Sequence, residues 1–219
     1  SFGELLVPFD ALYGAQTQRA IENFQISGLQ MPAEFIQAMA LIKAAAAEAN
    51  GALGHLPKAQ AKAISGAANA IAAGEFAEQF PVDVFQTGSG TSSNMNLNEV
   101  IAALVKRQAK LVVHPNNHVN LGQSSNDVVP SSSLLASALL LNRLLLPALK
   151  QLRQSVAKKA RQGRGLLKTG RTHLMDAMPM TVEQELSGWQ AQLDSAMQRL
   201  QDTGKRLLAL PLGGTAVGT

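Results

Sequence analysis

Val128-Val-Pro-Ser-Ser-Ser-Leu-Leu-Ala-Ser-Ala-Leu-Leu-Leu-Asn-Arg-Leu-Leu-Leu-Pro-Ala-Leu-Lys150, continued to Gln162, decides the fold. Leu134, Ala138, Leu141, Leu145, Leu149, Leu152 and Val156 recur at threes and fours, the period of one helix face. A helix this long with an apolar seam belongs in a bundle rather than on the surface of a small globule. Pro147 is expected to bend it, and Gly163 and Gly165 to end it.

Its entrance is Gly122-Gln-Ser-Ser-Asn-Asp-Val-Val-Pro130. Ser, Asn and Asp are preferred helix caps, so Ser124, Ser125, Asn126 and Asp127 have a purely structural reading. The same hydroxyls, amide and first-turn N–H groups also suit an anion. Downstream, Lys168-Thr-Gly-Arg-Thr-His-Leu-Met-Asp176 reads as a loop, closed by Pro179. Thr181 and Gln184 then have capping-box spacing, and Leu186, Trp189, Leu193, Met197 and Leu200 supply a second bundle face. The glycine-rich end, Leu210-Pro-Leu-Gly-Gly-Thr-Ala-Val-Gly-Thr219, has no sign of a natural terminus, and truncation is expected.

Upstream, residues 1–30 read as irregular, punctuated by Pro8, Gly14 and Gly28, with a polar island at Tyr13-Gly-Ala-Gln-Thr-Gln-Arg19. Helical spacing begins near Ala33, with Phe35, Ile36, Met39, Ile42 and Ala46 on one face, and Asn50-Gly51 and Gly54 end it. A second Ala-rich helix follows from about Pro57 to Ala73, and His55 falls in the turn between them. Gln86-Thr-Gly-Ser-Gly-Thr-Ser-Ser-Asn-Met-Asn-Leu-Asn-Glu99 is a glycine loop leading into a helix, an arrangement that can cradle an anion. It lacks the G-K-[ST] ending of a P-loop. Asn94, Asn96 and Asn98 are poor helix formers, so either buried hydrogen bonding or a ligand must favour them. His114 and His118 are four apart, but Pro115 interrupts a regular helix and no carboxylate stands at ligand spacing, so no metal site is expected.

The 219 residues are 46% hydrophobic, 16% charged and only 4% aromatic. Abundant Ala and Leu favour helix on helix over sheet. The net charge of +4 comes without a Lys/Arg run or a basic stripe, which argues against nucleic acid. Absence of cysteine excludes disulfides, thiolate metal sites and a cysteine nucleophile. Asn142, Arg143 and Lys150 punctuate the apolar tracts, so no membrane span is expected. The start, Ser1-Phe-Gly-Glu, lacks the pattern of a secretory signal, and a soluble cytoplasmic protein is the default.

Three loops rich in hydroxyls and amides share one good general acid/base candidate, His173, with Arg171 and Thr172 beside it to hold an anionic group. Gly88-Ser-Gly-Thr-Ser-Ser-Asn-Met-Asn-Leu-Asn-Glu99, His114-Pro-Asn-Asn-His-Val-Asn120, Gln123-Ser-Ser-Asn-Asp127, Gly170-Arg-Thr-His-Leu-Met-Asp-Ala177 and Leu212-Gly-Gly-Thr-Ala-Val-Gly218 stand in one order along the chain. In that order the chain resembles the fumarase/aspartase superfamily, and within it the class II fumarate hydratases. His173 discriminates, since aspartate ammonia-lyases typically carry Gln after Arg-Thr. Asn126 after paired serines and Ser187-Gly-Trp189 lean the same way.

The resemblance implies an all-α fold, with an N-terminal helical domain (1–121) and the first part of a central long-helix bundle (122–219). It implies a lyase that reversibly hydrates fumarate to L-malate without metal or organic cofactor, as a homotetramer with active sites shared between subunits. An amino-acid lyase of the same superfamily, or a non-catalytic assembly fragment, are the alternatives. Carried over position by position, Ser89, Gly90, Thr91, Ser124, Ser125, Asn126 and Thr172 bind the dicarboxylate, and His173 is the acid/base histidine. His114, Pro115, Asn116 and Asn117 match a secondary dicarboxylate segment, with departures at Asn117, where Asp is expected, and at Leu111, where a basic residue often stands. The Gly-Ser-Ser loop that supplies a catalytic serine has no counterpart in these 219 residues, which are therefore expected to be inactive alone.

Overall fold

The computed structural model describes residues 4–218; the chain start at residues 1–3 and the terminal Thr219 lie outside them. The architecture is all-α as expected, with one small hairpin added. The chain packs into two compact units. One runs through Ala136 and regains the chain from Leu210 onward; the other is Ser137–Ala209. The expected segment boundary at 121/122 falls at the entrance of a helix, whereas the chain leaves the first unit about three turns further on.

In the first unit, α1 (Ala15–Asn23) overturns the irregular reading of residues 1–30. Its cap comes from 85 residues away. The Glu99 carboxylate accepts from the amides of Gly14 (2.8 Å), Gln16 (3.1 Å) and Thr17 (3.1 Å) and from the Thr17 hydroxyl (2.6 Å). A carboxylate satisfying first-turn amides at the positive end of the helix dipole stabilises a helix whose own sequence has no capping residue.

Helices α2 (Ala33–Ala52) and α3 (Lys58–Ala72) form a hairpin. α2 stops as expected at this glycine-rich stretch: Gly54 takes φ +78° just past its end, and the amides of His55 and Leu56 close on Asn50 O, while Gly51 lies within the last turn. A Cβ on Gly51 would stand 2.7 Å from that of Ala61, so that glycine serves close helix packing while Gly54 serves termination. α4 (Thr91–Ala109) completes the core: Met39, Ile64, Ile71, Leu97, Val100 and Ile101 are all at most 1% exposed. Asp83 ties down the connecting segments, accepting from the amides of Ser27, Gly28 and Phe85 and from the Ser27 hydroxyl. Burial alone would raise its carboxyl, but these donors bring it down to about 2.

The long helical run begins at α5 (Ser125–Leu140), earlier than its apolar period announces. Val128, Ser131 and Ser132 are fully buried. A wider π turn, Leu141–Leu145, separates α5 from α6 (Leu146–Gln162) within one helical run, and the change of hydrogen-bond pattern falls just ahead of Pro147, which has no N–H to donate. The run Ser125–Gln162, 38 residues, is by length and composition apolar enough to cross a membrane, correcting the expectation that no segment is. Asn142, Arg143 and Lys150 interrupt only its second half, leaving Val128–Leu141 without a charge.

In the second unit, α6 pairs with α7 (Val182–Arg206), joined by Arg153 to Asp194 through two hydrogen bonds of 2.9 and 3.0 Å. The capping box of Thr181 and Gln184 forms as read from sequence. Residues 168–176, expected as a loop, are a β-hairpin: β1 (Leu167–Thr172) and β2 (Met175–Thr181) pair antiparallel, with a bulge in β2 where Ala177 and Met178 face Gly170. Lys168 is anchored to Glu185 at 2.7 Å.

Candidate active site

Two helix entrances meet in the first unit. At the mouth of α4, Gly90 takes φ +69° as the cap, and a Cβ on it would lie 2.9 Å from Cγ1 of Val129. Only glycine combines that backbone with so close an approach, which sets the first turn of α4 against the first turn of α5. The two entrances lie about one turn out of step: Gly90 meets Val129, and Asn94, one turn into α4, meets Ser125 at the start of α5. Ser89 Oγ and Thr91 Oγ1 share a hydrogen bond of 2.7 Å, and Asn94 Nδ2 donates to Ser125 Oγ at 2.9 Å. Gln86 steadies the α4 entrance, accepting from the Ser93 amide and donating to its hydroxyl, each at 2.8 Å.

The α5 entrance is also a cap. Ser124 Oγ accepts from the Asn126 amide (3.3 Å), and Asp127 Oδ1 accepts from the Ser124 amide (3.0 Å). The other oxygen of Asp127 accepts from the amides of Gly213 (3.2 Å) and Thr215 (2.9 Å). Asp127 is 2% exposed, so its carboxylate is turned inward and held by backbone amides. Each of the two neighbouring helix N-termini thus carries serine, threonine or asparagine groups of the kind that stabilise an anion.

A residue that the sequence reading passed over lies beneath them. Lys43 of α2 is fully buried, and its Nζ donates to Asn120 Oδ1 (2.8 Å) and Gln123 Oε1 (2.9 Å). Burial pushes its ammonium down to about 7, although the charge of Asp127 pulls the other way. The signal was present: Lys43 stands four residues after Met39 and four before Ala47, inside the apolar stripe of α2. The three asparagines of α4 are buried hydrogen-bonding groups: Asn94 and Asn98 donate to Asn120 Oδ1 (3.2 and 3.4 Å), and Asn96 donates to Gln79 O (3.0 Å).

His114, Pro115, Asn116 and Asn117 form a turn of their own over Pro115–Val119. His114 Nδ1 accepts from the amides of Asn116 and Asn117, each 3.2 Å, and the His114 amide donates to His118 Nδ1 at 2.8 Å. One ring nitrogen of each histidine is thereby committed to the turn, while His114, Asn116 and Asn117 keep exposed surfaces.

Thr172 and His173 belong to the second unit and are not among the groups that the first unit brings together. His173 and Leu174 form the two-residue turn of the hairpin, with φ of +52° and +60°. Both are exposed. Arg171, expected to hold an anion against the imidazole, faces Asp176 across the hairpin at 3.5 Å.

A family described as lyase matches residues 3–219. Among curated relatives, the class II fumarate hydratase of Xylella fastidiosa is 61% identical over 219 residues, covering all of this chain and 46% of the relative. "Fumarate hydratase class II 2" of Pseudomonas aeruginosa is 51% identical over the whole chain and 48% of its own length. Among solved structures, the class II fumarase of Schistosoma mansoni superposes with a TM-score of 0.94 at 39% identity, covering all of this chain and 47% of the fumarase. A fumarate lyase:delta crystallin from Brucella melitensis does so with a TM-score of 0.93 at 40% identity, covering 98% of this chain and 50% of that protein. The chain spans about half the length of the curated relatives it matches.

Proposed function

The chain belongs to this lyase family, and we propose that it is part of a class II fumarate hydratase, which reversibly adds water across fumarate to give L-malate. The observation that carries the reading is the meeting of the α4 and α5 entrances, where Ser89, Gly90, Thr91, Ser124, Ser125 and Asn126 place neutral donors at two helix N-termini without an outward-facing carboxylate. The high identity to class II fumarate hydratases supports it.

Water adds anti across the double bond. Proton transfer at the carbon next to a carboxylate passes through a doubly charged aci-carboxylate, and preorganised donors stabilise charge where it develops without reorganising. His173 acts as the acid/base group through a bound water, and Thr172 holds a substrate carboxylate beside it. The exposed hairpin that carries both, and the half-exposed Leu152 and Trp189 of α6 and α7, support assembly into a homotetramer whose subunits share active sites. Residues 1–121 are the N-terminal helical domain and 122–219 the start of the central bundle. His114–Asn117 form the secondary dicarboxylate segment. The protein is soluble and cytoplasmic, and the helical run Ser125–Gln162 is a bundle helix.

The test is malate formation from fumarate by the intact protein, followed by loss of the double-bond absorbance. Ammonia release from aspartate, with no hydration of fumarate, would replace this reading by an amino-acid lyase. The 219-residue chain alone is expected to show no turnover, because the serine loop that the resemblance calls for is not within it. Light scattering of that chain is expected to show self-association; a clean monomer would count against the bundle.

A further inference from the structure

The buried network under the two helix entrances has a direction. An ammonium carries three N–H groups and no lone pair, so Lys43 obliges both Asn120 and Gln123 to present their carbonyl oxygens to it. Even as a neutral amine Lys43 keeps the two N–H groups that these bonds use. With Asn120 Oδ1 turned inward, its Nδ2 donates to Gln123 O (3.1 Å), and anything else that approaches Oδ1 must be a donor. Asn94 does so through Nδ2 (3.2 Å), and the same nitrogen donates to Ser125 Oγ (2.9 Å).

The orientation is bought at a visible cost: Asn94 Oδ1 and Asn98 Oδ1 are buried with no hydrogen-bond partner among the described residues. Unsatisfied buried acceptors are unfavourable, so a stronger demand must hold these amides as donors. Because Ser125 Oγ receives its bond from Asn94 as an acceptor, its single O–H is not used toward that amide and stays available as a donor at the start of α5.

We propose that Lys43 is a positioning residue which, through Asn120 and Asn94, fixes the hydroxyl of Ser125 as a donor to the anionic substrate. This rests on the reading of Ser125 as a dicarboxylate-binding residue. Lys43 itself touches no substrate. It sets the sense of the hydrogen-bond relay, as a residue that only donates can.

A double-mutant cycle on the intact protein tests the proposal, using steady-state kinetics of fumarate hydration. Ser125→Ala is expected to raise KM by about tenfold or more, as loss of a hydrogen bond to a charged group does. Lys43→Met should raise KM by a comparable factor. In the Ser125→Ala background, Lys43→Met should then raise it less than about twofold further, because the hydroxyl through which it acts is gone. Asn94→Leu interrupts the relay midway without touching the charge, and should show the same non-additivity if Lys43→Met fails to fold. Effects on KM that simply multiply, or an unchanged KM for Ser125→Ala, overturn the role of Lys43 while leaving the hydratase reading intact. Wild-type protein that does not turn over fumarate overturns both.

Discussion

The helix entrances of the first unit and the hairpin of the second carry the two halves of the proposed chemistry, and they are built in opposite ways. Around Ser124–Asp127 the supporting groups are held within the chain: Asp127 takes three backbone amides, Asn120 takes the ammonium of Lys43, and Gly90 is wedged against Val129. Around His173 the turn residues are exposed, and the neighbouring ion pair of Arg171 and Asp176 is a surface one. Binding groups can be fixed in advance by a packed core, which lowers the cost of organising them around an anion. An acid/base histidine on a hairpin takes its surroundings from what covers it.

The largest effect expected is chemical. His173→Gln in the intact protein should lower kcat for fumarate hydration by about 100-fold or more with little change in KM, the size of a lost general acid/base. An unchanged kcat would take the hairpin out of the comparison altogether. Next comes the packing of the entrances. Gly90→Ala adds a methyl 2.9 Å from Val129 at φ +69°, and should cost roughly 1–3 kcal/mol in thermal or denaturant unfolding. Val129→Ala in the same chain should recover the steric part but not the backbone part; no recovery would mean that the two entrances are not pressed together there.

A smaller effect concerns pH. Lys43 titrates near 7 when folded, against about 10.4 for an unfolded lysine. Between these values the unfolded chain binds more protons, so this group makes stability rise with pH. The burial penalty is fully present below about 7 and fades toward 10. Tyr13, raised by burial and by the charge of Asp10, works the other way only beyond 10. Denaturant midpoints at pH 7 and 9.5 should therefore differ more in the wild type than in Lys43→Met; equal slopes would place the ammonium in solvent. The smallest effect belongs to the surface of the second unit. Arg153→Ala removes a pair whose side chains are 41% and 47% exposed, and should move the denaturant midpoint less than any change above.

What the sequence disclosed follows the same division. Local signals survived: apolar spacing at threes and fours gave α2, α3 and the α5–α6 run, and Thr181 with Gln184 gave the start of α7. Signals that depend on distant residues did not. α1 has no capping residue of its own and relies on Glu99, so its first turn read as an irregular polar island. The hairpin escaped because the extra residue of β2 opposite Gly170 breaks the alternation of β2, and because His173-Leu174 is not a pair whose chemistry announces a turn with positive φ. The donors at the entrances were legible from Ser, Thr and Asn beside glycine. Lys43 was not, since one lysine among alanines resembles a solvated residue until its partners Asn120 and Gln123, 77 and 80 positions away, are brought to it.

Asp127 has a kinetic consequence. Its bonds to the amides of Gly213 and Thr215 span 86 and 88 residues, and the whole of Ser137–Ala209 lies within that span. Closing so long a loop costs entropy that only late contacts repay, so the first unit can gather its helices early yet close its last strap only after the intervening helices have returned the chain. Asp127→Asn should therefore quicken release of the segment from Leu210 onward, seen as faster amide exchange at Gly213 and Thr215 while the amides of α4 stay protected.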